Sequence, residues 1–500
     1  MRRVLGRELS TRRYIMSAIF LLSVSVFLLY RPLSEPEGGD ASIYDYISQS
    51  ILRGQLPYRD VADRKTPGQP YLSALAMRVG ALVGLRDIIA SRILHILLGA
   101  ILCASTFWVA DAYLESRVAG MIAVTILLMS GVFAEWTVGG GQPKLPMAMF
   151  GMLTLVMIAR DRPFWAGAYA MMSCLCWQPG LLFAGTAFLM ASRYLTSWRD
   201  FRALKVVIGA AIPLMVMLLY FYSTGILGYC WSYAFEYNYL TFRPVATRDL
   251  GDAVLHIWKV ALRVFRVDIL LVVLSLAGLT FFTLERSKTI LARFKSSNPS
   301  DCFRDALLIP PLVYLGFCLI NFQSGPDLIP LFPFIGIFAA YLLFKASYAV
   351  ARSTRVSQLA LLIILAGLIS VVVVRAVTYT PDPANTLASQ DEQLQMVSRL
   401  LGPDDKVYAQ GRVEFLVLLN IPNINPYIDL DFGMDDYVAA RWYGGSFDRF
   451  IDELESGAPK VVSITRIAHM SHGPEMERWL ATHYEKLPVE GFDVYFRKQM

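Results

Sequence analysis

Charge is scarce in this chain: Asp, Glu, Lys and Arg together make up 17% of 500 residues, beside 55% hydrophobic residues. That balance excludes both a disordered chain and an ordinary soluble globular protein. Cysteine occurs only at 103, 174, 176, 230, 302 and 318, without the spacing of a zinc site, and not at all beyond 318. The thiols therefore read as small buried hydrophobes, and the C-terminal part has to fold without disulfides. Five histidines are too few and too scattered for a metal centre, those at 469, 472 and 483 being loosely spaced in the tail. No metal site and no cofactor are expected; a divalent ion has no support in the residue pattern, and nothing points to nucleic acid. The basic start MRRVLGRELSTRRY precedes an apolar run, but no small-residue cleavage site follows before Arg31-Pro32. An uncleaved first helix is the expectation.

What the chain has in abundance is long apolar runs, with a mean hydropathy of +0.47. A bilayer core demands roughly 20 apolar residues per helix, and continuous rather than alternating runs select helices over barrel strands. Segments near 14–30, 86–112, 118–136, 143–159, 164–177, 180–192, 205–222, 267–284, 305–322, 327–345 and 357–374 fit. The expected fold is a polytopic α-helical membrane protein of about eleven transmembrane helices. With these spans the basic clusters around Arg2 to Arg13, Arg117, Arg160 and Arg162, Arg193 to Lys205, Arg286 to Lys295, and Lys345 to Arg355 fall on one side. The positive-inside rule makes that side the cytoplasm and leaves the first loop and the C-terminal region extracytoplasmic.

Composition changes near residue 376. Residues 376–500 carry 11 Lys plus Arg against 19 Asp plus Glu. There, strand-like runs at 406–410, 460–464 and 492–496 alternate with helical patterns near 387–401, 446–456 and 474–483, the pattern of a small α/β domain. The expected division is a membrane domain over 1–375, with its first external loop at 31–70, and a soluble domain over 376–500.

The first loop is the unusual segment. Tyr44, Ile47 and Ile51 recur at helical spacing after Asp40, with Asp45, Ser48, Gln49 and Arg53 falling elsewhere and Gly54 as a stop. An amphipathic helix at the outer membrane surface follows, with Asp40 at the N-terminal end of its apolar face. Asp40 is open between a helix cap and a reactive carboxylate. Beyond it, Tyr58, Asp60, Asp63, Arg64 and Lys65 gather ahead of Pro67-Gly68-Gln69-Pro70. So many polar groups at a membrane face need partners, and a charged lipid headgroup supplies them.

Asp40, Tyr44, Ile51-Leu52-x-Gly54, Pro57-Tyr58-x-Asp60 and Lys65-x-Pro67 together resemble the first external loop of bacterial membrane glycosyltransferases of the GT-C class. More narrowly they are similar to the family-39 group, which includes protein O-mannosyltransferases and the lipid A aminoarabinose transferase. The resemblance extends to the layout of spans, loop and C-terminal domain. It implies a sugar donor on a polyprenyl phosphate, a lipid, glycan or protein acceptor, an inverting displacement, and Asp40 as catalytic base. A departing lipid phosphate also implies nearby cations, for which Arg64, Lys65, Arg92 and Arg243 are candidates, each open to a reading as an interfacial anchor.

Relatives commonly place a second acid at the start of a later span, where this chain has Gln142-Pro143, with Glu135 earlier. Gln178, in Trp177-Gln178-Pro179, resembles an element that relatives begin with Lys; it is open between a donor contact and a helix-breaking role. Tyr44, Tyr58 and Asp60 complete the candidate contacts in the first loop, and Asp327, before two prolines, is either a sugar ligand or a cap. The aromatic run Tyr229 to Tyr239 is open between sugar stacking and an interfacial belt. Two other functions stand beside sugar transfer. A transporter or flippase of lipid-linked saccharides should carry ionisable groups near the midplane; a noncatalytic surface-polysaccharide assembly protein is the other.

Overall fold

The computed structural model describes residues 2–193, 201–241, 249–293, 303–350 and 353–498. All eleven apolar segments expected from the sequence contain helix. The first ten helices are α1 (Arg2–Leu29), α2 (Gly39–Leu52), α3 (Gly68–Ala81), α4 (Asp87–Leu114), α5 (Arg117–Met129), α6 (Gly131–Val138), α7 (Lys144–Ala159), α8 (Pro163–Cys176), α9 (Leu181–Arg193) and α10 (Arg202–Ser223). Later apolar helices span Leu250–Phe265, Ile269–Arg293, Ile309–Ile320, Phe332–Val350 and Thr354–Thr378. Among the described residues six helical stretches are long and apolar enough to cross a membrane, and the α5–α6 pair, bent by 70°, brings the number to seven. Others, such as α7 and α8, are shorter than a bilayer is thick.

The bundle has two chemically different ends. Antiparallel α1 and α4 meet at one end through Arg12 and Asp111, 2.7 Å apart. At the other end Arg92, 1% exposed, donates to the carbonyls of Pro32, Glu35 and Pro36 and pairs with Glu37 at 3.3 Å. Arg92 thus fixes the start of the first loop through four acceptors on its two terminal nitrogens.

On that end sits an α/β layer whose sheet has the order β1 (Val407–Gln410), β2 (Val461–Ile464), β4 (Val494–Arg497), β3 (Tyr484–Lys486). The first two strands are parallel, Val407 opposite Val461, and the other pairings are antiparallel. Helices Leu387–Leu400, Phe447–Gly457 and Gly473–His483 accompany it, close to the helical periods in the sequence.

Helix α2 departs from the surface helix expected for it. It lies between α3 and α4 on one side and the C-terminal layer on the other, and Asp45, Ser48 and Gln49 are buried with its apolar residues. Asp45 accepts from Ser91 at 2.6 Å, Gln49 donates to the Val417 carbonyl at 3.2 Å, and the Tyr46 hydroxyl accepts the Asn423 amide at 2.7 Å. A polar helix face that amphipathicity assigns to water is instead hydrogen-bonded to another part of the chain. The aromatic run behaves likewise: Tyr229 stacks on Trp442 with ring centroids 5.3 Å apart, and Tyr237 donates to the Phe432 carbonyl at 3.0 Å. Much of that run joins the membrane bundle to the C-terminal layer.

Candidate active site

Three segments converge where α2 begins. The turn Gly139 to Pro143 passes so close to α2 that a Cβ on Gly141, at φ +35°, would lie 2.3 Å from the Ala41 carbonyl oxygen. His95 holds this turn, accepting the Gln142 amide at Nε2 (3.1 Å) while Nδ1 donates to the Ser91 carbonyl (2.8 Å). The close approach sets Lys144 beside Asp40. Gly141→Ala is therefore expected to push α2 from the turn and depress activity together with thermal stability, as overpacking does; a melting curve of the purified variant checks it.

Lys144 Nζ stands 3.2 Å from Asp40 Oδ2 and 2.9 Å from Asp327 Oδ1, with its side chain 4% exposed. Lys65 Nζ approaches Asp40 Oδ2 at 3.8 Å and lies 4.9 Å over the Tyr44 ring. Trp177 presents its face to both lysines, at 5.3 Å from Lys144 and 6.0 Å from Lys65. Asp327 is held by the amides of Gln323 and Ser324 at 2.7 and 3.1 Å, so its cap role and its ion pair coexist. Burial by itself would raise the proton affinity of Asp40, but Lys144 and Lys65, with hydrogen bonds from Lys144 and Gln142, hold its carboxyl well below the usual range. Burial and the neighbouring Lys144 charge bring Lys65 down to about 8, and burial pushes Asp63 up to about 6.

The lysine pair divides two cavities. One, of about 350 Å³, faces the membrane bundle and is lined by Trp177, Phe235 and Phe317 with Gln178, Asn238 and Asn321. The other, of about 280 Å³, contains Asp40, Tyr44 and Asp63 and is roofed by Asp429, Asp431, Arg466 and His469 of the C-terminal layer. Arg64, Lys65, Lys144 and Gln323 line both, with Asp327 on the first and its neighbour Ser324 on the second. Arg64 bonds Asp429 at 2.5 Å, and Arg466 pairs with Asp431 at 3.2 Å. Gln178 donates to the Arg64 and Ala234 carbonyls at 2.8 and 3.0 Å, holding the loop strand that carries both cations.

Of the residues singled out in the sequence, Asp40, Tyr44, Arg64, Lys65, Gln142, Gln178 and Asp327 come together here. Tyr58, 1% exposed, supports the site from behind by donating to the Lys65 carbonyl at 2.7 Å. Asp60 is occupied with Arg59 and the Leu56 amide, Arg92 with the loop start, and Glu135 lies outside both cavity linings. Arg243 lies outside the described residues. Sequence reasoning passed over Lys144, although a lysine opening an otherwise apolar helix is the kind of charge that marks a site. It also missed Asp429, Asp431, Arg466 and His469, for which long-range folding is the only signal. No group of His, Cys, Asp and Glu suited to a metal ion occurs among the described residues.

No family model matches the chain, and no curated protein matches it in sequence. Solved structures do. ArnT from Cupriavidus metallidurans bound to undecaprenyl phosphate superposes with a TM-score of 0.59 at 13% identity, covering 96% of this chain and 97% of ArnT; its apo form gives 0.57. The archaeal oligosaccharyltransferase AglB from Archaeoglobus fulgidus, in complex with an inhibitory peptide and a dolichol-phosphate, gives 0.52 at 12% identity over 98% of this chain and 75% of AglB. Both are GT-C class glycosyltransferases, and the chain shares their membrane fold.

Proposed function

We propose that this chain is a membrane glycosyltransferase that moves a sugar from a polyprenyl-phosphate donor to an acceptor hydroxyl on the extracytoplasmic face of a bacterial cytoplasmic membrane. The observation that carries the reading is the Asp40 carboxylate set against Lys65 and Lys144 at the junction of two cavities. A cavity that faces the bundle with Trp177, Phe235 and Phe317 in its wall suits a lipid phosphate, with the lysines as its counter-ions. The polar cavity on the far side suits the sugar and the incoming hydroxyl. That the structural neighbours ArnT and AglB were solved with undecaprenyl phosphate and dolichol-phosphate supports the same donor class.

The chemistry is a single displacement. The acceptor oxygen attacks the anomeric carbon, its proton passes to Asp40, and the bond to the phosphate oxygen breaks with its electron pair leaving on the lipid phosphate. One carboxylate suffices for this route, whereas retention by double displacement uses two. In the unloaded site Asp40 is a poor base because two ammonium groups stabilise its ionised form. A phosphate bound between those lysines draws their charge to itself, and Asp40 gains proton affinity when the substrate is in place. The same cations then stabilise the leaving phosphate. Against a flippase stands the position of the acids and bases, which gather at one end of the bundle rather than near its middle.

The test is release of undecaprenyl phosphate, followed by mass spectrometry, when purified protein in nanodiscs receives polyprenyl-phosphate sugars extracted from bacterial membranes. Turnover by the wild type is expected; its absence with every donor in the extract overturns the enzyme class. A pH signature accompanies it. Lys65 is charged below about pH 8 and loses its proton above, so the undecaprenyl phosphate Kd should rise as pH climbs past 8. Lys65→Met should bind more weakly at pH 7 and lose most of that rise.

A further inference from the structure

We infer that a third cavity, at the carboxyl ends of β1 and β2, is a saccharide-binding site that holds the unreacting part of the acceptor; this rests on the glycosyltransferase reading above. The cavity measures about 540 Å³, within the size range of small-molecule sites. Arg412 and Glu414 follow β1, and Ser463 and Thr465 lie at the end of β2. Crevices at the carboxyl ends of parallel strands are where α/β layers bind ligands. The segment Pro36 to Gly39 forms another wall, and Glu490 to Asp493 closes the rim.

The lining holds buried acceptors without donors. Glu414 is 5% exposed; its Oε1 accepts the Gly39 amide at 3.3 Å, and its Oε2 has no hydrogen-bond partner. Glu37, 2% exposed, pairs with Arg92 through Oε2, while its Oε1 has no partner. A buried oxygen in that state costs free energy until a ligand supplies a proton. Glu490 and Asp493 at the rim repel an anionic ligand, and Arg412 opposes a polycation. A ligand carrying both donors and acceptors on each ring satisfies the carboxylates, Arg412 and the Gln393 amide together, and Phe492 adds an apolar side chain to the lining. That is a hydroxyl-rich saccharide.

The site connects directly to the reactive carboxylate. Gly39 lines this cavity and Asp40 the neighbouring one. Gln390 clamps the shared segment, accepting the Glu37 amide at 2.7 Å and donating to the Glu37 carbonyl at 2.8 Å. A glycan seated on the strand ends therefore extends along Gly38 and Gly39 toward the polar cavity.

The experiment is saturation-transfer NMR on the full-length protein in nanodiscs, with a tetramer of β-linked N-acetylglucosamine and a tetramer of α-linked mannose as probes. At least one tetrasaccharide should bind the wild type, about tenfold more weakly to Glu414→Gln, where a charged hydrogen bond becomes a neutral one. Glu490→Trp, at an exposed rim position where folding is spared, should block the cavity and abolish the signal. Neither tetrasaccharide binding, both variants binding like the wild type, or a lysine-rich peptide occupying the site in their place overturns the inference. Undecaprenyl phosphate titrated into the same nanodiscs separates the two claims: if it binds while the saccharides do not, only the saccharide site fails, and if it does not bind, the functional reading fails with it.

Discussion

Asp40→Asn should lower the rate of sugar transfer by about 10³-fold, in the range lost when a positioned general base is removed, while undecaprenyl phosphate binds as tightly as before or more tightly. The two halves of this expectation come from different contacts. Asparagine keeps the shape of the side chain and its place at the head of α2, so the fold and the cavity persist. What disappears is the proposed proton acceptor, and with it a negative charge that pairs with Lys65 and Lys144. A residue acting only as a helix cap predicts the opposite pattern, since asparagine caps as well as aspartate; transfer would then survive. The α2 geometry already speaks against that role, because the cap position belongs to Gly38 and Asp40 lies inside the first turn. Steady-state kinetics with a fixed donor, paired with lipid-phosphate binding on the same preparation, check both halves.

Lys144→Met should cost both stability and donor binding. The lysine is buried between two carboxylates, one of them, Asp327, 7% exposed, and removing one partner of such a set leaves charge uncompensated at about 3 kcal/mol or more. Thermal unfolding should begin lower by several degrees, and undecaprenyl phosphate affinity should fall at least tenfold because one of two counter-ions is gone. The double variant Lys144→Met with Asp327→Asn separates the contributions. It removes an orphaned carboxylate and should recover most of the stability without recovering donor binding. Recovery of both would mean that Lys144 serves the fold alone.

Local patterns made part of this site readable. Asp40 and Lys65 stand in a polar stretch between apolar runs and match the first-loop pattern of the family the chain resembles, and Gln178 stands at a Pro-Gly break between two apolar segments, features legible one segment at a time. The strands at 407–410 and 461–464 and the helix at 473–483 likewise follow their own hydrophobic periods. Contacts made over long separations in sequence were not legible. Arg64 meets Asp429 and the Tyr46 hydroxyl meets Asn423 because the C-terminal layer folds back over the first loop, and nothing local to either partner announces the other. The same blindness explains α2, whose polar face is spent on the C-terminal layer rather than on water, and Arg92, whose charge is consumed by the backbone it anchors. Where the resemblance leads one to expect a second acid this chain has Gln142-Pro143, and two positions further on Lys144 stands between Asp40 and Asp327.

In the proposed single displacement Asp40 is the one carboxylate that takes part, and the anomeric configuration of the transferred sugar tests that most directly. With a polyprenyl-phosphate donor of known configuration and the product examined by proton NMR, displacement assisted by Asp40 alone predicts inversion at the anomeric carbon. Retention would contradict it, for it would require a covalent intermediate or a second reactive group that this account does not contain.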